Sequence, residues 1–265
     1  MTLNSSNHLT HGPGRLAFAM RALGKEDLPE KVEAGSKTYR REKTVKHDFF
    51  AATGFYVADD GSRAVLKLGR MTSFFGVPLK WVGRKLCQRE LDCYQRLAGV
   101  ANIPALLGTV GATGFLHAYV PGRPLERKEP VPDDFFRQLQ ELLAEVHRRG
   151  MAYVDTNKPE NILLGEDEKP YLIDFQISFL VAEGCRNPLK LWWLRRLQRA
   201  DVYHILKHKR RMRKDQLTEE EAKIAANRGV LIHLHRIVTK PYFVVRRRLF
   251  KWLRKTGKIL PEGSK

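Results

Sequence analysis

The feature that most constrains the fold is a pair of short apolar runs, each joined to a polar side chain at one end. Residues 162–164 (Ile-Leu-Leu) directly follow Asn161, and residues 172–173 (Leu-Ile) directly precede Asp174. The segment between them, 165–170, contains the glycine, the proline and the charges that are typical of a turn. A hairpin made of the two runs places Asn161 and Asp174 side by side, and amide and carboxylate oxygens are ligands that Mg²⁺ accepts in proteins. The sequence therefore predicts a metal site at the open end of this hairpin.

A second polar segment, 155–161 (Asp-Thr-Asn-Lys-Pro-Glu-Asn), leads into the hairpin. Together with residues 173–175 (Ile-Asp-Phe) it resembles the catalytic and metal-binding loops of the protein kinase superfamily. The resemblance implies that Asp155 is the catalytic carboxylate near an acceptor hydroxyl, and that Lys158 neutralises the γ-phosphate of ATP. The ligands of Mg²⁺ or Mn²⁺ in this resemblance are Asn161 and Asp174.

The resemblance continues upstream in the family's order, so that it covers residues 45–180, about half of the 265 residues. Lys67, in Ala-Val-Leu-Lys, resembles the strand lysine that contacts the α- and β-phosphates, and Glu90 resembles the helix residue that pairs with it. Glu42 and Asp92 are the alternatives for that pairing partner. The hinge segment that binds adenine through its backbone corresponds to Tyr119 and Val120.

The sequence departs from the family pattern at three places. Asp155 lies six residues before Asn161 where the family has five, so strict spacing would put Thr156 at the position of the catalytic base. A one-residue insertion is favoured, because a carboxylate accepts a proton near neutral pH and a threonine hydroxyl does not. No glycine-rich loop precedes the strand lysine, and only Gly54 could let the backbone approach phosphates. Gln176 replaces the glycine that follows Asp-Phe.

The order of the predicted elements indicates an α+β protein. Short β-type runs dominate residues 46–120 and enclose one helical pattern around 89–97, whereas residues after 130 are mostly helical in pattern. We therefore predict a two-lobed protein-kinase-like fold with a small β-rich N-lobe, a helical C-lobe and a ligand cleft between them. The predicted divisions are a loose leader (1–35), the N-lobe (36–120), the C-lobe (121–240) and a basic amphipathic tail (241–265).

The predicted C-lobe is short for the family. No long activation segment fits after Phe179, and Asp201 follows soon afterwards, either as a carboxylate that braces the catalytic loop by accepting backbone N–H bonds or as a helix cap. This trimmed pattern resembles the atypical branches of the superfamily, namely the RIO-type kinases and the bacterial lipopolysaccharide core (Kdo/heptose) kinases. Of the two, the lipopolysaccharide-kinase-like group is favoured.

The charge of the chain is strongly positive and concentrated near its end. There are 48 Lys and Arg against 29 Asp and Glu, a net charge of +19, and residues 181–265 contain 23 of the basic and 7 of the acidic residues. In 243–255 the basic residues alternate with Phe, Leu and Trp, as in helices that lie on anionic lipid. RNA accepts the same pattern through phosphates and stacking, but an anionic membrane surface or a lipid-linked substrate is the favoured partner.

Other signals are negative. The three cysteines have neither disulfide-framework nor zinc-site spacing, residues 1–13 lack the apolar core of a secretory signal, and no uncharged apolar run is long enough to span a membrane. We expect a cytoplasmic protein, attached peripherally at the inner face of the membrane.

The expected function is that of an ATP-dependent kinase that phosphorylates a hydroxyl acceptor, either a lipopolysaccharide or glycolipid sugar or a protein Ser/Thr. The alternative is a catalytically weak pseudokinase, a scaffold that binds an anionic membrane or RNA. The retained Lys67, Asn161 and Asp174 favour the enzyme, and the missing glycine-rich loop favours the scaffold.

Overall fold

The N-terminal part of the chain is built on a six-stranded antiparallel sheet with the order β1-β2-β3-β4-β6-β5. The structure is a computed structural model, which describes residues 18–74, 76–126 and 129–226. The strands of this sheet are β1 (Lys31–Ala34), β2 (Lys37–His47), β3 (Ala51–Ala58), β4 (Arg63–Gly69), β5 (Leu106–Val110) and β6 (Gly114–Ala118).

Strands β3 and β4 form a hairpin around residues 59–62, and their residues alternate between a buried and a more exposed face. The side chain of Asp60 accepts the N–H of Ser62 at 3.0 Å within the turn. One face of the sheet packs against residues that precede it, including the buried Leu23 and Leu28. The predicted loose leader over 1–35 therefore needs correction from residue 18 onward, since residues 18–35 contribute to the core and to strand β1.

The other face of the sheet packs against helix α1 (Lys80–Arg96). The sequence predicts this helix only around 89–97, yet it begins nine residues earlier, inside the segment 70–85 that reads as an insertion. Close packing explains one residue of that segment: a Cβ on Gly83 would lie 2.1 Å from the carbonyl oxygen of Arg70. Only glycine allows α1 to approach the end of β4 so closely.

The C-terminal part is mainly helical and carries two small sheets. Its helices are α2 (Phe135–Arg148), α3 (Pro188–Met212) and α4 (Glu219–Ala226), with short 3₁₀ turns at Pro159–Asn161 and Lys214–Gln216. Three strands, β7 (Gly122–Pro124), β9 (Ile162–Gly165) and β10 (Pro170–Leu172), pair in the order β10-β9-β7, and β8 (Met151–Ala152) pairs with β11 (Phe179–Leu180). The predicted hairpin is confirmed, because Leu172 lies opposite Ile162 and Pro170 opposite Leu164.

Helix α2 buries one apolar face in the core of this lobe, as its spacing predicts. It starts after Asp134, but the Asp134 carboxylate binds Arg137 instead of capping the helix, and Gly150 follows the helix with a positive φ of 74°. Helix α4 begins with a capping box: the Glu221 N–H donates to the Thr218 hydroxyl oxygen at 3.2 Å, and the Thr218 N–H donates to the Glu221 carboxylate at 3.1 Å.

The two parts form the predicted two-lobed α+β arrangement, and the segment after β6 joins them. The three cysteines are free. None of the helices in the described part is long and apolar enough to cross a membrane. The predicted basic tail over 241–265 lies outside the described residues.

Candidate active site

Lys67 joins the two lobes through two carboxylates. Its Nζ lies 2.8 Å from Glu90 on α1 and 2.7 Å from Asp174, which follows β10. Burial alone lowers the pKa of Lys67, but the two carboxylates outweigh it and raise the pKa above its ordinary value, so the amine stays charged. Glu90 is 2% exposed, and of the three predicted partners it is the one that contacts Lys67. Glu42 binds Arg63 and Asp92 binds Gln88 instead.

Asp174 occupies a backbone conformation that a non-glycine residue seldom adopts, with φ 62°. The next residue, Phe175, is buried edge-on against Tyr94 and Tyr153, and this anchor holds the turn in place. Burial raises the pKa of Asp174, but the charge and hydrogen bond of Lys67 lower it, with help from the backbone N–H of Gln176. The lowering effects prevail, and the pKa lies below the ordinary aspartate value. Asp174 is therefore an ionised carboxylate that points toward Lys67.

Asp155 lies in the site and Thr156 does not. The Asp155 carboxylate accepts bonds from Lys158 at 2.6 Å and from the amide nitrogen of Asn161 at 2.8 Å. Thr156 is fully buried and donates to Asp201 at 3.1 Å. The extra residue in the loop is thus taken up by turning Thr156 inward, which leaves the carboxylate facing Lys158. Burial raises the pKa of Asp155, although Lys158 opposes the change.

Asp201 braces the loop that contains Asp155, as one of the two sequence interpretations of this residue predicts. It is 1% exposed and accepts the backbone N–H of Tyr153 at 2.7 Å and of Val154 at 2.8 Å. Val154 has a φ of 69°, a strained value for a β-branched residue, which these bonds stabilise. The alternative of a helix cap is wrong, because Asp201 lies in the middle of α3.

The predicted metal ligands have suitable donor atoms. The amide nitrogen of Asn161 donates to Asp155, so its side-chain oxygen remains for a cation. The backbone N–H of Ile173, the residue before Asp174, donates to the backbone carbonyl of Asn161 at 3.1 Å, which brings the two segments together. In the described residues, this site included, no group of three or more acidic, histidine or cysteine side chains converges. Mg²⁺ commonly takes one or two protein ligands and completes its shell with phosphate oxygens and water. The donor set fits a magnesium ion that arrives with a nucleotide.

The hinge segment is only partly as predicted. Tyr119 follows β6, but its N–H already donates to the carbonyl of Arg63 at 3.1 Å, and its ring lies 4.2 Å from the Arg63 guanidinium. That N–H is therefore committed to the sheet. Val120 is the other predicted hinge residue and lies in the linking segment between β6 and β7.

Gly54 does not lie with the other predicted site residues. It pairs with Leu66, whereas Lys67 pairs with Thr53, so Gly54 and Lys67 belong to opposite faces of the sheet. A Cβ on Gly54 would lie 2.6 Å from Leu28 and 3.0 Å from the carbonyl oxygen of Lys43. The expectation that Gly54 lets the backbone approach phosphates is corrected: this glycine makes room for packing.

The turn between β2 and β3 has no glycine, although it precedes the strand pair that carries Lys67. Asp48 caps it by accepting the N–H groups of Phe50 at 2.8 Å and Ala51 at 2.9 Å. Asp48 also pairs with Lys46 at 2.9 Å. Burial lowers the pKa of Lys46, but Asp48 and, to a smaller extent, Asp174 outweigh it and raise the pKa above its ordinary value. Sequence reasoning missed Asp48 and Lys46, although an aspartate just before a strand is a turn signal.

His117 is a third residue that sequence reasoning missed. It lies two residues from Phe115, which pairs with Lys67, so it shares the sheet face of Lys67. Its ring stacks on Tyr94 with centroids 5.4 Å apart, and burial lowers its pKa to about 4. The imidazole is therefore neutral at physiological pH, and the alternation in β6 was the signal that could have located it.

Comparison with known proteins gives similarity at the level of structure. No protein-family model matches the chain, and no curated protein matches it in sequence. The Rio2 kinase from Chaetomium thermophilum has a TM-score of 0.48 and 19% identity over 69% of this chain and 58% of its own. Its ADP/Mg²⁺-phosphoaspartate complex has a TM-score of 0.49 and 19% identity over 71% and 58%. The BubR1 kinase domain has a TM-score of 0.45 and 15% identity over 71% and 66%. The match thus spans less than two thirds of each of these chains.

Proposed function

We propose that this protein transfers the γ-phosphoryl group of ATP to a hydroxyl acceptor. The observation that carries the proposal is the position of Lys67, which binds carboxylates from both lobes at 2.7 and 2.8 Å beside the Asp155–Asn161 pair. A buried lysine between two carboxylates is poised to exchange one of them for a phosphate. Bound Mg²⁺·ATP would supply the phosphoryl group and the metal that neutralises it, with Asn161 and Asp174 as the ligands.

The remaining predicted residues would have the following roles. Asp155 would orient the acceptor hydroxyl and accept its proton as the new oxygen–phosphorus bond forms and the bond to ADP breaks. Lys158, half exposed and 2.6 Å from Asp155, would leave that carboxylate for the γ-phosphate as charge develops there. Val120 would provide the backbone contact to the base. Glu90 would keep Lys67 in place throughout.

The acceptor is a lipopolysaccharide or glycolipid sugar, or a serine or threonine of a protein, and the site chemistry serves either. A cytoplasmic position, with peripheral attachment to the membrane, fits the excess of basic residues over acidic ones. The second candidate function is a pseudokinase scaffold. It is favoured by the Asp48-capped turn, which places a carboxylate where phosphates would approach, and by Gln176 in place of glycine.

Two measurements distinguish the kinase from the scaffold: ATP binding and ADP release. Each is made on the wild type and on Asp155→Asn. The variant keeps the size of the side chain but loses the proton acceptor, so ATP affinity should stay within about threefold while ADP release falls at least about 100-fold. Glu160→Gln, an exposed change in the same loop, is the matched control and should retain wild-type turnover. ATP binding without turnover would support the scaffold, and equal turnover in the wild type and Asp155→Asn would contradict the role of Asp155.

A further inference from the structure

The first half of helix α3 has two apolar faces, and only one of them is packed. Leu191, Leu194 and Leu197 lie in a small cluster with residues of the β8–β11 strand pair, among them Ala152 and Phe179. This inner face anchors the helix to the loop that carries Asp155. A single packed face is all that a surface helix normally needs.

The outer face of the same segment carries large apolar side chains that remain exposed. Leu189 is 71% exposed, Trp192 53% and Trp193 43%, and the two indole rings lie 5.9 Å apart. The three residues follow the i, i+3, i+4 spacing of one helix face. Scattered apolar residues are ordinary on a protein surface, but a contiguous pair of indoles beside a leucine marks an interaction site.

The charge around this face has a single sign. Residues 184–200 contain five Lys and Arg and no Asp or Glu. No ion pair links any of the five to another described residue. Lys190, Arg195 and Arg199 are exposed beside the indoles. A surface of this kind attracts a polyanion while its apolar centre seeks a less polar environment.

We propose that this outer face of α3, defined by Leu189, Trp192, Trp193 and the exposed Lys190 and Arg195, docks on an anionic phospholipid bilayer. Indole rings favour the headgroup level of a bilayer, and neighbouring arginine and lysine gain from negative lipid. The face is a helix surface and not a groove. Cavities of about 780 and 630 Å³ lie elsewhere, lined by residues such as Leu164 and Arg96. A fluid bilayer can accommodate a projecting helix, so a shaped pocket is not needed.

The chain's own C-terminal segment is a poor occupant for this face. Residues 227–265 contain 11 Lys and Arg against one Glu. Packing that segment on the basic outer face would bring like charges together at an unfavourable cost. An external polyanion, in contrast, is attracted by both the face and the segment.

The position of the face matters for the proposed phosphotransfer. Trp193 precedes Asp201 by eight residues on one helix, which is about 12 Å along the axis. The residue that braces the Asp155 loop is therefore carried by the same helix that meets the bilayer. This step rests on the proposed function, and it favours an acceptor hydroxyl that belongs to a membrane lipid.

Fluorescence quenching by brominated lipid tests the docking face without any use of ATP. The full chain with Trp81→Phe and Trp252→Phe keeps only Trp192 and Trp193 as reporters. Mixed with vesicles of phosphatidylglycerol and phosphatidylcholine, it should co-sediment, and bromine in the acyl chains should quench the indoles. Trp192→Ser with Trp193→Ser in the otherwise wild-type chain should lower vesicle partitioning at least about tenfold. Ile224→Ser, an exposed apolar residue on α4, is the matched control and should leave partitioning unchanged.

Three outcomes would overturn the proposal. The first is that the protein does not bind anionic vesicles. The second is that it binds while Trp192 and Trp193 stay unquenched, and the third is that the double variant partitions like the wild type. Binding of a single-stranded RNA that requires the two indoles, with no binding to vesicles, would also overturn it. Loss of turnover in Asp155→Asn bears on the proposed function alone, so the two proposals fail separately.

Discussion

The C-lobe side of the candidate site, called the lower rim, and its N-lobe side, called the upper rim, differ in how they are built. On the lower rim, Asp155 and Asn161 are bound to each other, and Asp201 holds their loop through two backbone N–H groups. On the upper rim, the turn between β2 and β3 has no glycine-rich pattern and is capped by Asp48. The side chains that would do chemistry are present and braced, whereas the backbone that would cover phosphates is replaced by an acidic turn.

This difference separates catalysis from nucleotide affinity. In the proposed function, catalytic geometry would depend on the lower rim and on Lys67, which is bound from both lobes. Affinity for phosphates also depends on the upper rim, where Asp48 contributes a negative charge. We therefore expect changes in the lower rim to reduce turnover strongly, and changes in the upper rim to alter binding by small factors.

The largest effect should come from Asp201→Asn. The amide can accept only one of the two N–H groups, so one buried donor loses its partner at a cost of about 2 kcal/mol in the free energy of unfolding. The shift of the strained Val154 should lower turnover about 100-fold, because the Asp155 carboxylate moves out of position. Chemical denaturation and ADP release measure both effects. Asp215→Asn, a change at an exposed aspartate, is the control. An Asp201→Asn variant as active as the wild type would contradict the role given to the lower rim.

Glu90→Gln should have the next largest effect. The amide keeps the shape of the side chain and removes a buried charge next to Lys67, so Lys67 depends on Asp174 for its remaining partner. ATP affinity should fall about tenfold, since a lysine held by Asp174 is less available to phosphate. Isothermal titration with Mg²⁺·ATP measures this. Glu141→Gln on the surface of α2 serves as the control, and unchanged affinity in Glu90→Gln would contradict the role of the pair.

Asp48→Asn tests whether the charge of the upper rim affects nucleotide affinity. Asparagine still caps the turn through its side-chain oxygen, but the charge is lost and Lys46 is released from its ion pair. ATP affinity should rise about threefold, because one negative charge near the phosphates is removed. Asp59→Asn, which lies in the distant β3–β4 turn, provides the control for net charge. A loss of affinity in Asp48→Asn would mean that the turn does not face the nucleotide.

Gly54→Ala should change stability and not binding. The new Cβ would press on Leu28 and on the Lys43 carbonyl oxygen, which should cost about 1 kcal/mol of unfolding free energy. ATP affinity should stay at the wild-type value, because Gly54 is on the sheet face opposite Lys67. Thermal denaturation and titration with ATP measure the two quantities. A weakened affinity with unchanged stability would restore Gly54 to the phosphate site.

The parts of the site that sequence predicts are those with local signals. The 162–172 hairpin has apolar runs and a turn between them, and Lys67 and Glu90 lie in segments with clear strand and helix patterns. The start of α1 gives no such signal, because Trp81, Arg84 and Lys85 are exposed in its first turns and show no apolar stripe.

Long-range contacts account for what the sequence could not predict. Leu23 and Leu28 belong to the N-lobe core only because the chain before β1 folds back over β3. The side of the sheet on which Gly54 lies depends on the register of β3 against β4, where a shift of one residue would reverse it. Thr156 turns inward because Asp201, 45 residues away, provides its partner.

ADP release from Mg²⁺·ATP by the wild type and by Asp174→Ala tests the central claim most directly. Asp174 is both the predicted metal ligand and the contact of Lys67 from the C-lobe, so its loss should reduce turnover at least about 100-fold while circular dichroism shows a folded chain. The account predicts Mg²⁺-dependent ADP release by the wild type that disappears in the variant. Absence of ADP release by the wild type, or equal release by both proteins, would contradict it.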